Sequence, residues 1–593
     1  VPTPNRSKPA RGGAPRDSRA QALDTLAREV GFVTKPHGGR LRVALAFPNS
    51  YFVGMSNLGL QTVYRLFNAD ERVVCERVFL PPKQEIADLL RRREPLLTIE
   101  SQTPVRDFDV FAFSVSFEWD YTNILAMLRL AGLEPRAARR TAFDPLVVIG
   151  GAVTFVNPEP LAPFADVIAA GEAELLVPSL VEAFADETGR DRGRLLSRLA
   201  RERGFYIPSF YDVTYDGPGR VAAIAPRPGT GAPPVVTKAA VRAADTLDPP
   251  SSTIFTPDTE FGSRLLIEVV RGCANLCRFC WAGYNYLPVR PFSTSRILEL
   301  AEAARPHANR VGLVSIALCD HPDIELILTR LLEMGYSISP ASLRLDDLTP
   351  TIVSLLRRSG ERSLTIAPET GSDRLRSVIN KTITNDQILD RAGLIFRTGF
   401  ENLKLYYMVG LPGETDADLV AIRDLTIAIR ERMLAEAGSS IGRIVASVNP
   451  LVPKPGTTYQ WLPMTDARLI ERKTDRLREL VDGLEHVYFN IKSERHSYYQ
   501  GLLSLGDRRV ADVIERAFEN GNDWRAAVAA TGLDADAYLY RDRSADAFLP
   551  WQIIDGGMKT GFFRTELEKS LRGEWTVAGR SSVPGPPSAV VPT

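Results

Sequence analysis

The chain has 593 residues, 44% hydrophobic and 24% charged, with 72 basic side chains balancing 72 acidic ones. That length implies several domains with ample cores, and the zero net charge argues against a broad nucleic-acid-binding surface while leaving room for a local basic groove. No apolar run is long enough to cross a bilayer and no signal-peptide core opens the chain; with only five cysteines, the expectation is a cytoplasmic protein in a reducing compartment, not a membrane protein.

Residues 1–40 read as a disordered tail over 1–20, rich in Pro, Gly, Ser and Arg, and a short helix at 20–30. From Leu41 to about 190, apolar strand runs alternate with helical ones. The strands are LRVALAFPN, RVVCERVFL, DVFAFSVSF, LVVIGGAVT and DVIAAGEAE. This alternation predicts a doubly wound, Rossmann-like parallel sheet. Ligands of such sheets bind beyond the carboxyl ends of the strands, here Asn49–Gly54, Ser114–Trp119, Gly150–Thr154 and Gly171–Glu174. The glycine pair Gly150–Gly151 allows a ligand or another backbone to come close. Cys75 lies inside an apolar run and reads as a small buried residue.

Residues 191–262 read as a linker with a hairpin turning at Asp216–Gly217. A second alternating array spans 263–463. Its strands begin at SRLLIEVVR, RVGLVSIAL, SISPASLRLD, RSLTIAPET, FENLKLYYMVG and RIVASVNPLVPKPG. Six strand–helix units predict a partial (β/α)6 TIM-like barrel, with chemistry at the strands' C-terminal ends. From 464 to 593 the helical period dominates and predicts a helical C-terminal cap, with the aromatic stretch Phe548–Phe563 closing over the barrel mouth.

The first barrel strand delivers RGCANLCRFCW (Arg271–Trp281), which sets Cys273, Cys277 and Cys280 in a C-x3-C-x2-C spacing. Thiolates at such spacings hold iron–sulfur clusters, and three ligands for a four-iron cubane leave one iron open for chemistry. A structural zinc knot needs a fourth ligand, and none lies nearby in the sequence. Cys319 and His321 follow the second strand at the same end. A hydrogen donor, methyl acceptor or acid/base role is open to them, but a small buried thiol and a helix-capping imidazole are the simpler reading.

On these residues the chain resembles the radical SAM superfamily, whose open iron binds S-adenosylmethionine (SAM). The resemblance implies that a 4Fe–4S cluster on Cys273, Cys277 and Cys280 cleaves SAM reductively to a 5′-deoxyadenosyl radical. It also implies that Phe279 contacts the adenine through its backbone. Glu369 and Gly371 in APETG fit the strand-four segment that helps hold SAM. Gly410, Gly413 and Glu414 in GLPGE fit the strand-five glycine motif beneath the adenine. The N-terminal half resembles the cobalamin-binding-type domain of one radical SAM class, with Ser114 and Ser116 in the serine motif, Gly150–Gly151 in the double glycine and Gly171–Glu172 in the later G-E. The D-x-H-x-x-G motif that ligates cobalt is missing from NSYFVGMSNLG, so any cobalamin would be bound base-off without a histidine.

The implied activity is cobalamin-dependent methylation of an unactivated carbon, with an electron donor such as flavodoxin or ferredoxin as partner. The alternatives are a cobalamin-independent radical SAM enzyme, performing isomerisation or sulfur insertion, and a non-catalytic iron–sulfur adaptor for RNA or the ribosome. The substrate, whether small molecule, peptide or RNA, is not legible.

Overall fold

The computed structural model describes residues 18–186, 191–244, 246–340, 343–436, 442–546 and 548–576; most of the expected N-terminal tail lies outside them. The helix that follows runs Ser18–Leu26. Then come β1 (Leu41–Phe47), β2 (Val73–Phe79), β3 (Val110–Ser114), β4 (Leu146–Gly150) and β5 (Val167–Ala169), closed by a short β6 (Phe205–Tyr206). The sheet order is β2-β1-β3-β4-β5-β6, with the first five parallel and β6 antiparallel. These strands are buried along nearly their whole length, as expected where helices cover both faces. Strand order reverses between β1 and β3, which opens a crevice at their carboxyl ends.

One face packs against helices Leu58–Ala69 and Ala173–Asp186, through Leu45, Ala112 and Val148 against Phe67, Leu176 and Leu180. The other packs against Tyr121–Leu130 and also against the distant helices Glu494–Leu505 and Val510–Glu519. A hairpin, β7 (Tyr211–Tyr215) and β8 (Val221–Pro226), follows, turning at Asp216–Gly217 as predicted. β9 (Val236–Thr237) pairs with β18 (Ile554–Asp555) near the far end of the described chain.

The second array comprises β10 (Leu265–Arg271), a short antiparallel β11 (Arg290–Pro291), β12 (Arg310–Ser315), β13 (Ser337–Pro340), β14 (Ser363–Glu369), β15 (Asn402–Val409), β16 (Ile444–Pro450) and β17 (Val487–Ile491). They form two four-stranded sheets, β11-β10-β12-β13 and β14-β15-β16-β17. A single core joins them, with Ile267, Leu313, Ile338, Ile366, Leu405 and Ala446 all fully buried. The six expected strands are present, and a correction follows the sixth. The segment expected to stay helical to about residue 488 ends its helix at Val481 and adds β17 as a seventh parallel strand beside β16. The HVYFNIK sequence alternates in burial along this strand, a period-2 pattern that a preceding charged helix masks.

Candidate active site at the strand ends

The β10 strand ends at Arg271, and the loop beyond it carries the three cysteines. Cys273 and Cys277 are buried and Cys280 is half-buried at the N-cap of a short helix, Trp281–Asn285. Burial pushes the Cys277 thiol up to about 12 and raises the other two. Cys273 and Cys277 both feel the Cys280 sulfur, and the N–H groups of Ala282 and Gly283 point at that of Cys280. Thiols this reluctant to ionise become thiolates when a metal replaces the proton. Among the described residues no three His, Cys, Asp or Glu side chains converge tightly enough for a single ion. A lone zinc needs its sulfurs within about 2.3 Å of one centre, whereas a cubane seats each thiolate on a different iron. Gly283 is buried, yet a Cβ there meets nothing within 4 Å, which leaves room beside the loop. The residues fit the cluster.

Phe279 packs with Leu411, Leu451 and Tyr459 beyond β15 and β16. Glu369 ends β14 at a bulge with φ of 66°, a left-handed conformation rare for such a side chain. Its carboxylate pairs with Lys381 at 3.3 Å. Burial raises the Glu369 carboxyl. Burial opposes the Lys381 charge too, but Glu369 and the sulfurs of Cys277 and Cys280 outweigh it and lift the amine to about 12. Glu369 and the cysteines are thus brought together, and Lys381 joins them from the turn after the helix Asp373–Val378. Nothing in the local sequence marks that lysine.

The barrel interior is open. Tyr407 meets Thr426 of the outer helix Asp416–Glu436 at 3.1 Å, so odd-numbered residues of β15 face the helices and even-numbered ones face the lumen. Tyr406 is 42% exposed there, in contrast to the packed interior of a complete barrel. In register beside it stands Ser447, with Met408 opposite Asn449 and Lys404 opposite Thr365.

A cavity of about 460 Å³ lies where the first sheet faces the barrel. Ser114, Ser116, Gly150, Gly151, Gly171 and Glu172 all line it, with Val270 and Val314 on the barrel side. Its depth runs between Leu45, Ala112 and Val148 of the sheet and Val63, Phe67 and Leu180 of the two helices. Charge pairs close the seam. Arg271 reaches Glu172 at 3.1 Å, Glu174 at 2.8 Å and Glu268 at 2.7 Å, while Arg290 grips Glu172 at 2.7 Å. On the other flank Lys454, in the loop after β16, pairs with buried Glu118.

Several motif positions serve the backbone. A Cβ on Gly151 would stand 2.3 Å from the Val115 carbonyl, and one on Gly171 2.2 Å from that of Ala239. Glu172 is committed to Arg271 and Arg290. Gly410 donates its N–H to Glu414 at 2.7 Å, and Glu414 pairs with Lys473 at 2.7 Å, a self-closed strand-to-helix turn. Gly413 is exposed on the same turn. Gly371 packs under the helix Asp416–Glu436, where a Cβ would lie 2.1 Å from the Ala421 carbonyl carbon. Gly371→Ala is therefore expected to cost about 1–3 kcal/mol of stability by overpacking, read as a lower urea midpoint of the apo-protein. Away from these, His321 donates to the Phe292 carbonyl and accepts from the Asp323 N–H, the helix-capping role, beside the half-buried Cys319.

The loop after β1 also has a definite arrangement. Tyr51 occupies the histidine place in N-x-Y-x-x-G. Its hydroxyl donates to Glu29 and its ring packs edge-on against Phe79 at 5.1 Å, away from the cavity lining.

Residues 59–208 match the family of N-terminal regions of radical SAM proteins, and residues 267–426 match the radical SAM superfamily. The chain is 28% identical over 422 residues to the uncharacterized protein MJ0966 of Methanocaldococcus jannaschii, covering 70% of this chain and 82% of that one. Among solved structures it is similar to the radical SAM methyltransferase TsrM of Kitasatospora setae with cobalamin and a [4Fe-4S] cluster bound, at TM-score 0.51 and 13% identity, over 83% of this chain and all of that one. It also matches the cobalamin-dependent radical enzyme OxsB at TM-score 0.44 and 12% identity, over 90% and 79% of the two chains. The cysteine loop, the open barrel and the domain before it belong together: the chain belongs to the radical SAM superfamily, with the Rossmann-like N-terminal domain of radical SAM proteins before the barrel.

Proposed function

We propose that this enzyme uses a 4Fe–4S cluster and SAM, which come with its superfamily, together with cobalamin, to methylate an unactivated carbon. The observation that supports cobalamin is the cavity of about 460 Å³, which runs from an apolar slot inside the N-terminal domain to the barrel strands beside the cluster loop. Small polar groups at a mouth over an apolar depth suit a large amphipathic cofactor. Cys273, Cys277 and Cys280 would hold the iron, and Glu369 with Lys381 would orient the polar end of SAM. Ser114, Ser116 and Asn57 would hydrogen-bond the cobalamin periphery, with its tail between Ala112 and Phe67. The turned-away Tyr51 agrees with base-off binding. When bound, the cluster supplies an electron to SAM and cobalamin supplies a methyl group; the protein positions both and excludes quenching. Lys404, Tyr406, Ser447 and Asn449, which make no side-chain hydrogen bond or ion pair among the described residues, form a polar wall for the substrate. The donor of the electron is a reductant such as flavodoxin or ferredoxin.

A cobalamin-independent radical SAM enzyme remains the second reading, because Gly151 and Gly171 already answer to Val115 and Ala239. The deciding experiment incubates anaerobically reconstituted protein with hydroxocobalamin, desalts it and records absorbance and cob(II)alamin EPR. A stoichiometric base-off signal supports the first reading. An intact cluster that yields 5′-deoxyadenosine from SAM without retained cobalamin selects the second.

A further inference from the structure

Between Cys277 and Phe279 sits Arg278, a guanidinium with no solvent exposure. Its partners lie in the C-terminal segment and on the helix Asp373–Val378. Its Nε and Nη2 donate to Glu566 at 3.2 and 3.1 Å, its Nη1 to the carbonyls of Ser377 and Val378 at 2.8 and 3.0 Å, and its Nη2 also to the Glu574 carbonyl at 2.9 Å. Glu566, itself buried, lies on the helix Thr560–Leu571 and further accepts from Lys569 and Thr576. A second thread runs parallel. Thr576 donates its N–H to Asn380 at 2.9 Å, and Asn380 donates to the Leu276 carbonyl at 3.3 Å. The Arg278 N–H itself bonds the Ile379 carbonyl at 3.0 Å. The loop that carries three cysteines is thus fixed by a helix that lies beyond the superfamily match, which stops at residue 426.

We propose that this C-terminal helix is part of the cluster housing, with Glu566 as a positioning residue that holds the cysteine loop in place through Arg278. A buried ion pair adds little net stability over an apolar pair of the same shape, but removing one partner strands the other charge. Its value is orientation. Five donors in a rigid plane reach acceptors on three segments at once, which a lysine cannot do. The inference rests on the reading of Cys273, Cys277 and Cys280 as cluster ligands. It assigns no chemistry to Glu566.

The test compares wild type, Glu566→Gln, Arg278→Lys and Cys273→Ala as full-length chains reconstituted anaerobically with iron and sulfide. Far-UV circular dichroism of each apo-protein checks the fold. Cluster loss to a chelator is then timed, and EPR of the reduced cluster is recorded with and without SAM. Groups that orient a metal's ligands typically cost tenfold or more when changed. Both clamp variants are therefore expected to lose their cluster about ten- to a hundredfold faster, with a changed EPR signal on SAM addition, on an unchanged apo fold. Wild-type stripping and wild-type EPR in Glu566→Gln overturn the proposal. Wild-type iron in Cys273→Ala overturns the ligand reading beneath it instead. Should Glu566→Gln fail to fold, the charge-free pair R278M/E566M replaces it. Rapid stripping from that folded variant supports the clamp, and stripping at the wild-type rate overturns it.

Discussion

Cys273→Ala is expected to leave a folded protein that holds no 4Fe–4S cluster and forms no 5′-deoxyadenosine from SAM. The side chain is small and buried, so its loss opens at most a minor void, and the apo fold loses little. The cluster is another matter. With the fourth iron reserved for SAM, two remaining thiolates leave two irons without a protein ligand. Iron and acid-labile sulfide after anaerobic reconstitution should fall to background, and SAM cleavage under dithionite by at least about a thousandfold, since the protein keeps binding groups but no electron source. Iron content equal to wild type would sink the assignment.

Ala112→Phe is expected to abolish cobalamin retention while leaving the cluster and SAM cleavage intact. Ala112 stands on β3 at the sheet face of the slot, across from the helix that carries Phe67. A phenyl ring there enters the slot at the usual cost of overpacking, about 1–3 kcal/mol of stability, which leaves a folded protein to assay. The slot lies on the far side of the Glu172–Arg271 seam from the cysteine loop, and mutations without shared partners act independently. The measurement is cobalamin absorbance after desalting, beside iron content and 5′-deoxyadenosine yield in one preparation. Undiminished cobalamin would place the cofactor elsewhere or remove it from the reading.

How much of this was legible in the sequence depended on how local each cause was. Buried parallel strands announce themselves as apolar runs, and β1 to β5 and the six barrel strands stood close to where those runs lay. The cysteine loop was legible as a short spacing of the kind that cluster chemistry demands. β17 was not, because its exposed Tyr488 and Asn490 make it look like loop until β16 lies beside it. Glycine marks a close approach without saying of what: Gly151, Gly171 and Gly371 meet backbone carbonyls or helix atoms of this same chain. Arg278, Lys381 and Glu566 carried no signal at all. The Arg278–Glu566 pair joins residues 288 positions apart, and no window along the sequence contains both.

The charge pairs on the two flanks of the seam carry a kinetic consequence. Glu172 with Arg271 and Arg290, and Glu118 with Lys454, staple the first domain to the barrel, with Glu172 and Arg271 at the cavity wall. Whatever occupies that space has the barrel strands at Val270 and Val314 as one of its walls. Its hold then depends on the two domains staying together as well as on its own contacts. Pairs as buried as these feel little screening, so added salt should hardly hasten release, and loading is easiest while the chain is still assembling.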